Sequence, residues 1–244
     1  MVSLPNNFRV CSYNIHKGFS PTNRHFLLDD MRDAIRSIDA DFVFLQEVMG
    51  ENKNRRDKSS SNQFEFLADS IWPHFAYGRN AVYDTGHHGN AMLSKHSFLL
   101  FENYDVSRWS FSQRGVLLAQ VSLGIYLVCV HFGLFAIERK TQLYALQQII
   151  KRFVPDDAPL IIAGDFNDWT GKLHPVIKEK LDVKEAYSET RGHLARTFPG
   201  KLPLLPTDRI YYRNLRLESA QVLTGMPWQR LSDHCALTAN FHSA

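Results

Sequence analysis

Cysteine is scarce in this 244-residue chain, limited to Cys11, Cys129 and Cys235. The count is odd and each cysteine lies in an apolar, strand-like run, which argues against a disulfide framework and gives no zinc-ligand spacing. The expectation is buried, reduced thiols and a reducing compartment. Long hydrophobic runs are also missing. No stretch approaches the roughly 18 apolar residues that carry a helix across a bilayer. The opening residues, MVSLPNNFRV, lack the charged-then-apolar order of a secretory signal. A soluble, cytoplasmic monomer without a transmembrane segment is therefore expected. Neither sign of charge dominates, since 28 Lys and Arg against 25 Asp and Glu leave a net +3. That balance tolerates an anionic substrate, but no stretch matches a dedicated basic element for nucleic acid. Internal repeats are absent. The one biased stretch, residues 51–62 (ENKNRRDKSSSN), reads as a polar, basic loop that is either substrate-facing or simply solvated.

What is present is enough apolar material for a well-filled core, with 44% hydrophobic residues and a length that suits one domain over residues 1–244. Short apolar, β-branched runs predict buried strands at 8–15, 41–48, 115–121, 125–132, 159–165 and 235–241. Helical spacing predicts helices over 24–38 and 136–153, the second stopped by Pro155, and a shorter one over 63–71. Strands alternating with helices, then consecutive strands from about Ala76 to His131, predict mixed sheets.

One pattern recurs along these strands: an apolar run meets an acid, an amide or an imidazole at its end. The run from Arg9 closes on Asn14, that from Phe42 on Glu47, that from Tyr126 on His131, and that from Leu160 on Asp165, with Asn167 just beyond. Asp208 opens the run DRIYY, and Asp233 and His234 precede the last strand. A buried strand gains nothing from a charged end unless that charge has a partner. If these ends converge on one edge, they furnish a single cleft. The oxygen donors Glu47, Asp233 and Asn14 suit a hard cation, Mg²⁺ or Mn²⁺. Such a cation polarises a phosphoryl oxygen. Asp165 and Asn167, two apart, could hold one attacking water, the carboxylate taking its proton. His131 and His234 can donate to phosphoryl oxygens as charge grows, and Asp208 can set the tautomer of His234.

SYNIH, LQEV, VHFG, GDFND, TDRIYY and SDH, in that order, resemble the motif series of the endonuclease/exonuclease/phosphatase superfamily. That group includes deoxyribonuclease I, abasic-site endonucleases, neutral sphingomyelinases, inositol polyphosphate 5-phosphatases and tyrosyl-DNA phosphodiesterases. The likeness spans residues 9 to 241. It implies a four-layer α/β sandwich of two mixed β-sheets flanked by helices, with the site at one edge. It also implies a metal role for Glu47, with Asn14 and Asp233 close by, orientation of the nucleophile by Asp165 and Asn167, and a pair of His234 with Asp208. VHFG resembles the deoxyribonuclease, sphingomyelinase and deadenylase branches more than the abasic endonucleases. FAYGRNAVY, GHHGNAMLS and ARTFP resemble a compact bacterial subgroup.

The implied activity is metal-dependent hydrolysis of a phosphoester, small or lipid-linked. The alternatives are a nuclease acting on DNA or RNA and, from another class, an inactive binding module. Around that centre, His88 and Asn90 in GHHGN are candidate substrate contacts at the cleft rim, against an ordinary glycine-rich turn. Arg114 either binds a distal phosphate or makes an orienting salt bridge. Trp109 and Phe111 either stack on a base or meet lipid, or pack in the core, the commoner fate of aromatics. His16 and Lys17 either face phosphate or lie in a solvated loop.

Overall fold

The computed structural model describes residues 7–52, 62–68, 71–84 and 86–242, with 51 and 52 as backbone only. In chain order the first strands are β1 (Asn7–Asn14), β2 (Phe42–Asn52), β3 (His74–Tyr83) and β4 (Gly86–Ser94). A second set follows: β5 (Phe98–Asp105), β6 (Gly115–Val121), β7 (Tyr126–His131), β8 (Leu160–Asp165), β9 (Lys184–Glu185) and β10 (Asp208–Arg213). The chain then returns to the first set with β11 (Arg216–Leu223) and β12 (Ala236–His242). The helices are α1 (Leu28–Ile38), α2 (Gln63–Ala68), α3 (Ala136–Phe153), α4 (Leu173–Leu181), α5 (Ala186–Arg191) and α6 (Trp228–Leu231).

Two six-stranded mixed sheets result, ordered β11-β12-β1-β2-β4-β3 and β5-β6-β7-β8-β10-β9. Each contains one parallel pair, β1 with β2 and β7 with β8, among antiparallel neighbours. Side chains alternate along a strand, and this sorts them into layers. Phe8, Val10, Phe42 and Phe44 meet Leu117, Leu127, Ile161 and Ile210 between the sheets. Cys11, Tyr13, Val43 and Leu45 turn outward onto α1, α2 and α6. Val128, Val130 and Ile162 turn outward onto α3 and α4. Helix, sheet, sheet and helix therefore stack as four layers. Truncating a residue such as Phe44 between the sheets costs about 3–5 kcal/mol, transfer and cavity together. All three cysteines are buried and free.

The helix expected over 24–38 starts at Leu28 instead. Phe19 bridges to Phe26 and the Leu27 N–H donates to Gly18 O, so the chain before Leu28 is committed to a turn. From there Leu28, Met31, Ala34, Ile35 and Ile38 recur at helical spacing and bury one face. Asp39 ends the helix in the left-handed region. α3 spans 136–153 as its periodicity predicts. Most of the basic stretch 51–62 lies outside the described residues. No helix among those residues is long and apolar enough to cross a membrane.

Candidate active site

Strand direction brings the polar ends together. β1 and β2 run parallel, as do β7 and β8, so Asn14, His131 and Asp165 all lie at carboxyl ends. β10 is antiparallel to β8 and sets its first residue, Asp208, opposite Asp165. β12 is antiparallel to β1, so the residues just before it reach the same edge. Alternation then points the side chains. Asn14 shares parity with Phe8 and Val10, His131 with Leu127 and Cys129, and Asp165 with Ile161 and Ala163. Asp208 shares it with Ile210. All face the space between the sheets, where the packed core gives way to a cleft.

Two residues arrive by other means. Leu45 and Val48 both pack on the helix side, and the pairing register shifts between them. Glu47 sits in this bulge at φ 56°, so both Gln46 and Glu47 are turned inward. Asn167 is likewise left-handed, at φ 49°, beyond the end of β8. Asn167 therefore joins Asp165 at the cleft through a turn rather than by extended-strand alternation. Non-glycine residues in this region carry a conformational cost and cluster at functional sites. Gly164 has φ +145°, and a Cβ there would stand 1.9 Å from Val130 O, which only glycine allows.

Asp165 lies at the centre. Its Oδ1 accepts from Asn167 N at 2.8 Å. Its Oδ2 accepts from Asn14 Nδ2 at 3.2 Å and faces His131 Nε2 at 3.6 Å and His234 Nε2 at 3.8 Å. His234 Nδ1 meets Asp208 Oδ2 at 2.8 Å, and that oxygen also accepts from Thr197 Oγ1 (2.5 Å) and Thr207 Oγ1 (2.8 Å). Asn167 Nδ2 donates to Phe132 O at 2.9 Å, which leaves its Oδ1 for the cleft. Opposite, Lys17 Nζ approaches Glu47 Oε2 at 3.5 Å, and His16 Nδ1 lies 3.3 Å from Asp233 Oδ1. The cleft encloses about 220 Å³, lined by Glu47, Arg114, His131, Asp165, Asn167, Asp233 and His234, among others.

The electrostatics separate these groups. Burial pushes Asp165 up, and the charge of Asp208 pushes it further, against His234 and the amides of Asn167 and Asn14, so it rests near about 7. Burial also pushes Glu47 up, but His131, Lys17, His16 and His234 outweigh it and hold Glu47 at about 2. His131 contributes little charge to that set, because burial and then the Arg114 charge drive it well below the ordinary histidine value. Burial alone would lower His234, but Asp208 and Asp165 raise it to about 10. One imidazole is thus neutral and the other charged.

Asn14, Glu47, His131, Asp165, Asn167, Asp208, Asp233 and His234 all come to this edge. Ser232, Asp233 and His234 form a loop before β12, so adjacent residues can serve one cleft. Three placements differ from expectation. Asn14 Oδ1 accepts from His16 N and its Nδ2 points toward Glu47 and Asp165, so the oxygen expected to serve a cation is already engaged by a backbone amide. Asn90 is fully buried between the sheets rather than at the rim, donating to Gly115 O and Cys129 O. Arg114 makes no ion pair among the described residues. Its Nε donates to Phe132 O and its Nη1 to Gln113 O. His88 stays half-buried beside the cleft, paired with the Tyr83 hydroxyl, and burial first and Lys17 next lower it to about 4. GHHGN is strand β4, not a turn. Trp109 and Phe111 stack on each other at the surface instead of joining the core.

Sequence reasoning missed the threonine pair behind Asp208 and the buried ion pair of Arg209 Nη2 with Asp168 Oδ2 at 3.0 Å. That pair, with Leu173 N on Asp168 at 2.7 Å, pins the loop after Asn167. The second acid of GDFND was the only available signal for it.

Which residues could hold a cation follows from donor chemistry. Asp165, Asp208 and His234 offer ligand atoms within 4.8 Å of one another. Their closest atoms, however, are engaged with one another and with the threonine hydroxyls. Glu47 is ionised, partly accessible and, among the described residues, accepts from no backbone N–H, and Asp233 stands on the same side. These oxygen donors fit a hard divalent ion.

A carboxylate poised near neutrality, backed by a charged histidine and facing an ionised acid across a narrow cleft, is equipment for hydrolysing an anionic ester. The chain belongs to the Endonuclease/Exonuclease/phosphatase family, whose pattern matches residues 11–234. Members of that family are phosphoester hydrolases. The Escherichia coli K12 protein YbhP, itself uncharacterised, is 42% identical over 245 residues, covering 97% of this chain and 96% of its own. A family protein from Beutenbergia cavernae superposes with a TM-score of 0.78 at 17% identity, over 98% of this chain and 72% of that one. TDP2 of D. rerio, complexed with a single-strand DNA product, superposes at 0.74 with 20% identity, over 98% and 100%. At such identities the superpositions speak for the fold alone.

Proposed function

We propose that this chain hydrolyses a phosphoester with a water activated by Asp165, in a reaction that depends on Mg²⁺ or Mn²⁺. The observation that carries this is the placement of Asp165, with one carboxylate oxygen fixed by Asn167 N and the other facing both histidines in the cleft that holds Glu47. Asp165 takes the proton of the attacking water on Oδ2. A base near neutrality combines availability with driving force. Asn167 orients that water through its free Oδ1. His234, kept charged by Asp208, donates to a phosphoryl oxygen as negative charge grows. His131, neutral, supplies a second donor. Glu47, with Asp233 beside it, is the anchor for the divalent ion, which when bound neutralises phosphoryl and leaving-group charge. Asn14 is a positioning residue between the two carboxylates. Lys17 and His16 stand over Glu47 and Asp233, where a phosphate dianion or a cation would compete for the same charges.

The test is a hydrolysis panel of bis-p-nitrophenyl phosphate, p-nitrophenyl phosphate, plasmid DNA and single-stranded RNA, with EDTA and with added Mg²⁺ or Mn²⁺. Turnover of at least one ester, abolished by EDTA and restored by either ion, is expected. Full activity in metal-free buffer would falsify the metal requirement.

A further inference from the structure

We propose that the mouth of the cleft docks on an anionic lipid surface, and that the diester presented to Asp165 belongs to a phospholipid headgroup. This rests on the hydrolase reading above and names its substrate class.

Two projections bracket the cleft. The first joins the segment before β6 to the loop after β7. Phe111 is 75% exposed, Leu134 56%, Phe135 54% and Ile137 51%. Leu134 itself lines the cleft. Trp109 stacks on Phe111 at 5.4 Å and receives the edge of Phe135 at 5.5 Å, so the rings stand out of the fold as one braced unit. The loop beneath is held by Asn167 Nδ2 and Arg114 Nε, both donating to Phe132 O.

The second projection is the turn between Phe198 and Leu205, which bridge to each other. Phe198 packs 5.0 Å from the His234 ring and lines the cleft. Beyond it Leu202 and Leu204 face solvent, 65% and 52% exposed.

Charge selects the occupant. Segments 106–112, 133–141 and 198–205 carry Arg108, Arg139, Lys140 and Lys201, with Glu138 as their sole acid. Glu138 is buried and accepts from Phe135 N, so the outward charge is of one sign. Scattered exposed apolar residues are ordinary, but contiguous ones rimmed by cations mark an interaction surface. Leu134, Ile137, Leu202 and Leu204 give a nucleobase no ring to stack on. They do suit the acyl–headgroup boundary, with aromatics beside them and cations at the level of anionic headgroups. These observations favour a lipid surface over a nucleic acid.

The test is co-sedimentation of the full chain with phosphatidylcholine vesicles, with and without phosphatidylglycerol. The wild type should pellet with phosphatidylglycerol vesicles and bind phosphatidylcholine alone about tenfold more weakly or worse. Phe111→Ser combined with Leu202→Ser should lower binding to both by about tenfold or more. Its turnover of bis-p-nitrophenyl phosphate should be unchanged, which also shows that it folds. Lys140→Gln with Lys201→Gln should remove only the phosphatidylglycerol-dependent part. Wild-type protein that stays in the supernatant with both vesicle types overturns the proposal. So does a Phe111/Leu202 variant that binds like wild type, or an oligonucleotide that is bound while vesicles are ignored. Vesicle binding without turnover of any diester sinks the hydrolase reading and leaves the docking surface standing, so the two failures are distinguishable.

Discussion

Glu47 and Asp165 occupy corresponding places on opposite sheets. Asp165 ends β8 opposite His131, and Glu47 sits in the bulge of β2 just past Gln46, which pairs with Asn14 at the end of β1. One amide, that of Asn14, reaches both carboxylates. Their surroundings then diverge. Glu47 keeps 19% of its side chain exposed and has Lys17 at 3.5 Å. Asp165 keeps 2%, with the negative Asp208 as its leading charged neighbour. The same functional group is thereby held ionised on one side and close to neutrality on the other. Environments that push two titratable groups apart in this way assign them different tasks. On the proposed mechanism Glu47 holds charge and Asp165 moves the proton.

The largest effect should come from Asp165. Asp165→Asn removes the proton acceptor while keeping shape and the bond from Asn167 N, so turnover should fall about 10²- to 10⁴-fold or more. Circular dichroism should show an unchanged fold. Added Mg²⁺ or Mn²⁺ should not rescue it. Wild-type rates in this variant would move the base elsewhere, with His131 the next group in the cleft.

His234→Ala should cost a similar factor, about 10²- to 10⁴-fold. Combined with Asp165→Asn it should add little, because both act on one transfer. A double variant whose losses multiply would mean that the two groups serve separate steps.

Glu47→Gln sharpens the contrast. Here the concentration of Mn²⁺ or Mg²⁺ for half-maximal rate should rise by about 10- to 100-fold, with part of the rate recovered at saturating metal. Rescue by metal in Glu47→Gln and its absence in Asp165→Asn separates the two carboxylates in one titration series. An unmoved metal requirement would show that Glu47 does not anchor the ion.

The same contrast explains what the sequence could reveal. Asn14, His131, Asp165 and Asp208 obey strict alternation from apolar strands, so their convergence could be read from period and strand direction alone. Glu47 does not. Alternation assigns it to the helix side, and only the bulge that gives it φ 56° turns it inward. A bulge leaves no mark in a run such as FVFLQEV, so Glu47 is legible as the acid that closes the apolar run from Phe42 and through the LQEV resemblance, not from alternation. The polar GHHGN run reads as a cleft rim or a glycine-rich turn, yet the backbone of Asn90 lies in β4 and its amide donates to carbonyls between the sheets. Thr197 and Arg209 were unreadable because their roles depend on pairings across the fold, Thr197 with Asp208 and Arg209 with Asp168. α3 was legible to the residue because one buried face and Pro155 fix both its register and its end.

The smallest rate effect, and the sharpest test of how the proton-moving side is tuned, is Asp208→Asn. In wild type, kcat/KM should rise with pH as Asp165 loses its proton at about 7 and fall as His234 loses its own at about 10. Asp208 acts on both. It is the leading charge raising His234, through a 2.8 Å contact, and the leading charge raising Asp165. Replacing it with a neutral amide removes a negative neighbour from each. A positive group that loses an anion releases its proton more easily, so the alkaline limb moves to lower pH. A carboxylate that loses a like charge ionises more easily, so the acid limb moves to lower pH as well. The alkaline limb should move further, because His234 also loses its hydrogen-bonded partner while Asp165 keeps Asn167 N and Asn14 Nδ2. The rate at the optimum should fall by about tenfold, less than for His234→Ala, since the imidazole is still present but less well posed. The measurement is the kcat/KM–pH profile of both proteins on the same diester. Limbs moving in opposite directions, or a fixed alkaline limb, would detach Asp208 from His234 and leave His131 as the main donor to the phosphoryl oxygen.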